Sequence, residues 1–116
     1  MGWFTRRPRV FGALSADPTP TKLDREATAD DLASLDAFIT SRHGVELYLE
    51  PETTATDTTV VAIAHDGEWI RRRTGTPRAA LRIAARRSVP LYEAARVGYP
   101  QRMRVWSRNH PERRAR

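Results

Sequence analysis

The pattern of apolar and polar residues changes from a helical to an alternating period near Gly44. Before Gly44, four apolar residues recur at the spacing of one helix face: Leu32, Leu35, Phe38 and Ile39. We predict that this helix begins at an N-cap on Thr28 and stops at Gly44. After Gly44, apolar and polar residues alternate over residues 45–50 (VELYLE), which predicts a half-buried strand that Pro51 ends.

The middle of the chain predicts two further strands joined by a tight turn. Residues 58–65 (TTVVAIAH) are rich in β-branched side chains and are typical of a central strand. Asp66 and Gly67 form a two-residue hairpin signal, and residues 68–73 return as the next strand. Three successive strands with short connections predict an antiparallel meander.

The following segment predicts a second helix and a last strand. Thr76 is an N-cap residue, and Pro77 takes the first position of a helix that extends to about Ser88. Residues 91–97 then predict a fourth strand. The element order is α-β-β-β-α-β, and we predict an α+β two-layer sandwich in which the helices cover one face of the meander sheet.

The two ends of the chain differ from this middle. Residues 1–27 hold several prolines and no sustained period, which predicts a poorly ordered N-terminal arm. Residues 28–100 form the predicted compact domain, and residues 101–116 form a basic C-terminal tail whose first half also contains apolar residues. Arg6 and Arg7 suggest a twin-arginine signal, but the apolar stretch after them is short, so we expect a cytoplasmic protein with no membrane association.

The charge of the chain narrows the class of partner. The formal net charge is +6, and nearly every basic residue is an arginine, with Lys22 the only lysine. A positive field favours anionic partners such as nucleic acid or an acidic protein surface. Arginine binds phosphate through two parallel hydrogen bonds, but a GC-rich genome also favours arginine codons, so composition alone does not identify the partner.

The clearest candidate site surrounds the second predicted helix. Arg78, Arg82 and Arg86 are four residues apart and form one stripe on the helix. Two further features adjoin that stripe, the run Arg71, Arg72 and Arg73 before the helix and the capping residue Thr76. Free N–H groups at a helix N-terminus also favour an anion, so we predict a phosphate or nucleic-acid site. The alternative is a solvated helix face beside an arginine-rich edge strand.

A second candidate lies in residues 98–106, where aromatic residues alternate with arginines. Its members are Tyr99, Arg102, Arg104 and Trp106. Aromatic rings can stack on bases while arginines neutralise phosphates, which indicates nucleic-acid contact. The alternative is that Tyr99 and Trp106 pack against the core, and both interpretations can hold together.

The sequence offers little for catalysis. Cysteine is absent, which excludes disulfides and thiolate sites, and His43, His65 and His110 lack the spacing of metal ligands. Glu46 and Glu50 share the polar face of the first strand, where we expect solvated carboxylates. The motifs of nucleotide-cofactor and hydrolase sites are missing, so we expect no cofactor, no metal and no enzymatic reaction.

Three stretches resemble small actinobacterial proteins that often carry the loose label "oxidoreductase". They are residues 45–51 (VELYLEP), 58–73 (TTVVAIAHDGEWIRRR) and 98–104 (GYPQRMR). The order of the elements also resembles that of double-stranded-RNA-binding domains, in which basic residues at the start of the second helix bind phosphates. That resemblance would assign the phosphate contacts to Arg78 and Arg82, with Arg73 beside them.

These patterns together favour a small, non-enzymatic binding protein. We expect RNA or the ribosome as its partner, since the arginines are placed together as well as numerous. A protein–protein adaptor that binds an acidic protein surface is the second hypothesis. An enzyme that matches the oxidoreductase label is the third.

Overall fold

Four strands form one mixed sheet in the structure, a computed structural model that describes residues 22–51 and 57–114. The strands are β1 (Glu46–Glu50), β2 (Thr58–Ile63), β3 (Trp69–Gly75) and β4 (Leu91–Glu93), in the spatial order β3-β2-β1-β4. The antiparallel meander of β1 to β3 is confirmed, with Tyr48 opposite Val61 and Val61 opposite Arg71. β4 pairs in parallel with β1, because the chain crosses over through a helix between β3 and β4.

The helices are α1 (Lys22–Ser41), α2 (Pro77–Arg87), α3 (Ala94–Val97), α4 (Gln101–Asn109) and α5 (Pro111–Arg114). The α+β class and the predicted order of α1 to β4 are confirmed. The N-cap predicted at Thr28 is wrong, because α1 already begins at Lys22. The remainder of the predicted N-terminal arm, residues 1–21, lies outside the described residues.

The end of the chain is more helical than predicted. The strand predicted over residues 91–97 ends at Glu93, and the two alanines that follow open the short helix α3. Alanine favours helix more than any other residue, which explains the early end of the strand. The segment predicted as a basic tail also forms helices, α4 and α5, up to Arg114.

The boundaries of α2 follow from local chemistry, as predicted. The Thr76 hydroxyl accepts a hydrogen bond from the Ala79 N–H at 3.2 Å, and Pro77 opens the helix. At the other end, Ser88 adopts a left-handed conformation with φ of 57°, and the Val89 N–H donates to the Ala84 carbonyl. Both ends of α2 are therefore fixed by hydrogen bonds.

The main core lies between the sheet and the helices α1 and α2. Leu47 and Val60 on the sheet pack against Leu35 of α1 and Ile83 of α2, and all four are almost completely buried. We call this side of the sheet the first face. Alternate residues of each strand point to the other side, the second face.

The second face carries a smaller core that α4 covers in part. Tyr48, Val61 and Ile63 of the sheet pack there with Met103 of α4. The two-layer prediction left this face uncovered, and the reason for the difference is Met103, an apolar residue in a segment otherwise dominated by arginine. No helix in the described parts of the chain is long and apolar enough to cross a membrane.

Candidate nucleic-acid interface

The arginines of β3 point to alternate faces of the sheet. Arg71 and Arg73 lie on the second face, where Arg71 forms two hydrogen bonds with Glu50, at 2.9 and 3.0 Å. Arg73 donates to Asp57 at 2.6 Å. Both guanidinium groups therefore bind carboxylates of this protein.

Arg72 points to the first face but is also engaged. It donates to the Ser34 hydroxyl of α1 at 3.0 Å and to the Arg71 carbonyl at 2.7 Å. The hydroxyl oxygen of Thr76 already accepts the hydrogen bond from the Ala79 N–H that caps α2. The predicted phosphate cradle of Arg71, Arg72, Arg73 and Thr76 beside the start of α2 is thus not assembled as a group.

Glu50, at the C-terminal end of β1, joins several side chains on the second face. It accepts hydrogen bonds from Arg71, from the Thr59 hydroxyl at 2.6 Å and from the Tyr99 hydroxyl. Burial alone would raise the pKa of Glu50, but these three donors outweigh burial and hold the pKa below its ordinary value of 4.5. The expectation of a solvated carboxylate at Glu50 is therefore wrong.

Glu46, at the N-terminal end of β1, has the same role on this face. Its Oε1 atom accepts hydrogen bonds from Arg102 at 2.6 Å and from the Tyr48 hydroxyl at 3.0 Å. Arg102 also donates to the Ala64 carbonyl at 3.0 Å, so it joins α4 to the sheet. Glu46 was likewise predicted to be solvated, and this prediction is wrong.

The remaining aromatic residues of the C-terminal segment are also packed. The ring of Trp106 stacks on His110 with centroids 3.9 Å apart, and Arg113 lies 5.2 Å from the Trp106 ring. Arg113 additionally donates to the Trp69 carbonyl at 2.9 Å. Among the predicted stacking residues, Tyr99 and Trp106 therefore serve the packing of this segment against the sheet.

The stripe on α2 keeps its arginines exposed. We call Arg78, Arg82 and Arg86 the α2 arginine face. Within the described residues, Arg78 and Arg82 have no carboxylate partner, and Arg86 has only Asp36 at 3.9 Å. Arg87, on the neighbouring side of the helix, binds Asp36 closely, at 2.6 and 2.7 Å. The hydrogen bond from Arg87 is the main cause that lowers the pKa of Asp36.

A second pair of exposed arginines lies on α4. Within the described part of the chain, Arg104 donates a hydrogen bond to the side chain of Gln101 at 3.2 Å and has no carboxylate partner, and Arg108 has no hydrogen-bond or ion-pair partner. α2 covers the first face and α4 the second, so these arginines do not extend the α2 arginine face. The two exposed sets are separate surfaces.

Sequence reasoning did not identify the acidic partners that decide which arginines are exposed. Glu46 and Glu50 alternate with Tyr48 on β1, a pattern that was visible and places all three on one face. Asp36 and Asp57 have no such signal, because they meet arginines far away in the chain. Residues 45–51, 58–73 and 98–104 meet on the second face, where Glu50 binds both Arg71 and Tyr99.

Residues 22–51 and 57–114 contain no group of three or more histidine, aspartate or glutamate side chains arranged to hold a metal ion. Comparisons with known proteins give no match to a family model, to a curated protein or to a solved structure.

Proposed function

We propose that this protein is a non-enzymatic RNA-binding protein and that the α2 arginine face is its RNA contact. The observation that carries the proposal is the contrast in pairing. Arg78 and Arg82 are exposed and lack a carboxylate partner among the described residues, whereas Arg71 and Arg102 are bound to glutamates. Unpaired guanidinium groups are free to bind phosphate oxygens.

The geometry of α2 supports this role. Arg78, Arg82 and Arg86 are successive members of one stripe, about 6 Å apart along the helix axis. The helix is fixed at both ends by its caps, so binding need not order its backbone. Arg78 lies in the first turn, where the helix dipole adds to the positive potential.

The side chains beside these arginines indicate whether the protein distinguishes one RNA sequence from another. The exposed surface of α2 contains arginine and alanine, such as Ala85, and no aromatic ring that could stack on a base. Phosphate contacts position a protein on RNA without reading its sequence. We therefore expect binding that is steeply salt-dependent and tolerant of RNA sequence. The phosphates bound would belong to free RNA or to ribosomal RNA.

The test compares two double variants with equal change in charge. R78Q/R82Q removes the unpaired arginines of α2, and R104Q/R108Q removes two exposed arginines of α4. Affinity for an RNA duplex longer than about 16 bp, the span of a double-stranded-RNA-binding domain, is measured by fluorescence anisotropy over a salt series. Circular dichroism checks that both variants fold.

We expect R78Q/R82Q to lose about tenfold or more in affinity and the salt slope to fall by about 1.4–1.8. R104Q/R108Q should stay within about twofold of the parent protein. Equal losses in the two variants would mean that net charge alone drives binding, and unchanged RNA binding in R78Q/R82Q would refute the proposed contact.

An acidic protein surface is the other anionic partner that the same guanidinium groups could bind. The two cases separate in a pull-down from lysate with and without nuclease. Recovery of ribosomal proteins that disappears after nuclease treatment supports RNA binding. A partner that survives nuclease and is lost in R78Q/R82Q supports the adaptor function instead.

A further inference from the structure

The second face contains a hollow of about 200 Å³ at the edge of the sheet beside β4. Its lining consists of Glu46, Tyr48, Tyr92, Val97, Gly98, Tyr99 and Pro100. The hollow is open to solvent, and Val97 at its rim is 57% exposed. It is smaller than the roughly 300–1,000 Å³ of sites for drug-sized ligands, so it suits one chemical group rather than a whole cofactor.

Three tyrosine rings give the hollow its shape. Tyr48 is buried and forms the base, and its ring contacts Tyr92 with centroids 5.3 Å apart and Tyr99 with centroids 5.7 Å apart. Tyr92 and Tyr99 are half-buried and tilted against Tyr48 by 35° and 55°, so they form two sides. Aromatic ring faces are electron-rich and attract cations.

The hydroxyl groups of two of these rings are fixed by carboxylates. Tyr48 donates to Glu46, and Tyr99 donates to Glu50. Burial is the main cause that raises the pKa of Tyr99, to about 12, and burial and Glu46 raise the pKa of Tyr48 as well. Both phenols are therefore neutral near pH 7, and their hydroxyls are committed to this protein's own acceptors.

The Glu46 carboxylate supplies a polar atom to the lining. Glu46 Oε1 accepts from Tyr48 and Arg102, whereas Glu46 Oε2 has no partner among the described residues. A carboxylate oxygen only accepts hydrogen bonds, so the matching ligand carries N–H donors. Arg102 already balances part of the charge of Glu46, so the ring faces must supply much of the affinity.

We propose that this hollow is a binding site for a guanidinium group. A guanidinium is planar, carries N–H donors and stacks on aromatic faces, so it can lie against the tyrosines while it donates to Glu46 Oε2. An arginine side chain of a peptide and a free guanidino compound share this chemistry. The site is separate from the α2 arginine face and does not depend on the proposed RNA contact.

The ligand chemistry is tested by NMR titration of the full-length protein with three small probes. Ethylguanidinium has the charge, the planar shape and the N–H donors, N-ethylurea has the shape and donors without the charge, and tetramethylammonium has only the charge. We expect saturable shifts at Tyr48, Tyr92 and Tyr99 with ethylguanidinium. Tetramethylammonium should bind about fivefold or more weakly, and N-ethylurea should not saturate.

Two further titrations show whether the guanidinium group belongs to a peptide or to a small molecule. One uses free arginine amide, and the other uses a short peptide that has one central arginine. Tighter binding of the peptide assigns the site to a protein partner, and equal binding assigns it to a small guanidino compound. Guanosine monophosphate is the competing case, because a flat base can also stack on tyrosine. Tighter binding of guanosine monophosphate than of ethylguanidinium at the same residues would overturn the proposal.

Two variants assign the contacts. Tyr92→Leu keeps an apolar side chain but removes a ring face, and we expect about a fivefold loss in ethylguanidinium affinity. Glu46→Gln keeps the acceptor for Tyr48 but removes the charge, with a similar loss expected. Val105→Ala changes an exposed valine of α4 outside the lining and should bind as the parent protein does. Retained binding in both Tyr92→Leu and Glu46→Gln, with well-dispersed spectra, contradicts the assignment.

Discussion

Arg71 and Arg102 on the second face each bind a glutamate of β1, whereas Arg78 and Arg82 on α2 meet no carboxylate among the described residues. The difference arises from the neighbouring strands and helices. β1 supplies Glu46 and Glu50 to the second face, but α2 contains no acidic residue, and within residues 22–51 and 57–114 its carboxylate partner is Asp36 of α1. The same side chain is therefore a structural clamp in one region and an exposed cation in the other.

Forcing α4 away from the second face should have the largest effect. Gly67 has φ of +100°, and a Cβ atom there would overlap the Arg102 carbonyl and lie 3.0 Å from Trp106 Cβ. We expect Gly67→Ala to lower the free energy of unfolding by about 3–4 kcal/mol. Gly98 also has a positive φ but open space around it, so Gly98→Ala should cost only about 1–2 kcal/mol.

Urea unfolding followed by tryptophan fluorescence measures both glycine variants. Similar losses for the two would show that backbone strain dominates and that the approach of α4 to the Gly67 turn is not tight.

Removing one clamp arginine should cost more stability than removing one exposed arginine. Arg102→Met loses the hydrogen bonds to Glu46 and to the Ala64 carbonyl, so we expect the free energy of unfolding to fall by about 2 kcal/mol. The Arg102 side chain is 32% exposed, which limits the size of this loss. Arg82→Met on α2 should change stability by less than about 0.5 kcal/mol. Thermal and urea unfolding of the two variants side by side provide the measurement. Equal stability of the two would remove the distinction between the regions.

The clamp at Glu50 should make stability depend on pH. The folded-state pKa of Glu50 is lowered, so its contribution is present above the ordinary value of 4.5 and is lost as the pH falls through the folded-state pKa. Glu50→Gln should lower the free energy of unfolding by about 1 kcal/mol at neutral pH, a value that already allows for the partial solvent exposure of Glu50. The difference in stability between Glu50→Gln and the parent protein should become smaller in acid.

Urea unfolding between about pH 3 and pH 7 tests this dependence. The exposed α5 residue Glu112, changed to glutamine, is the control and should leave the unfolding curve unchanged. A constant difference between Glu50→Gln and the parent at every pH would contradict the role given to Glu50.

The smallest effect should come from making the α2 arginine face larger. Asp36→Asn releases Arg87 and the weaker contact with Arg86, so we expect RNA affinity to rise by about twofold with little change in stability. Asp66→Asn in the β2–β3 turn makes the same change in net charge away from α2 and is the control. Anisotropy titrations at low salt compare them, and an equal gain in both variants would indicate a general charge effect.

Local signals predicted much of the first face. The alternation that begins at Val45 and the cap at Thr76 have causes within a few residues, and both are found where the sequence predicts them. The turn also lies at Asp66 and Gly67, but the predicted two-residue loop is wrong: Ala64 pairs with Glu68, so the loop has three residues and Gly67 closes it with φ of +100°. The stripe on α2 was also predictable, because helical spacing alone places Arg78 and Arg82 together.

The second face was not predictable in the same way. The arginines and aromatics of residues 99–106 have the same appearance whether they meet RNA or a glutamate of this protein. Tyr99 meets Glu50 across 49 residues of chain, and no local pattern indicates that distance. The identity of an arginine's partner is decided by tertiary packing, which the sequence pattern does not describe.

The contacts of α4 also have a consequence for how the chain folds. Strands β1 to β3 are neighbours in the chain, so they can pair through short loops that close quickly. Arg102 and Glu46 are separated by 56 residues, so their contact requires a much larger and slower loop closure. We expect refolding to form the meander early and to dock α4 last. A chain that is still being synthesised would lack the Met103 side chain on the second face until the residues of α4 have been added.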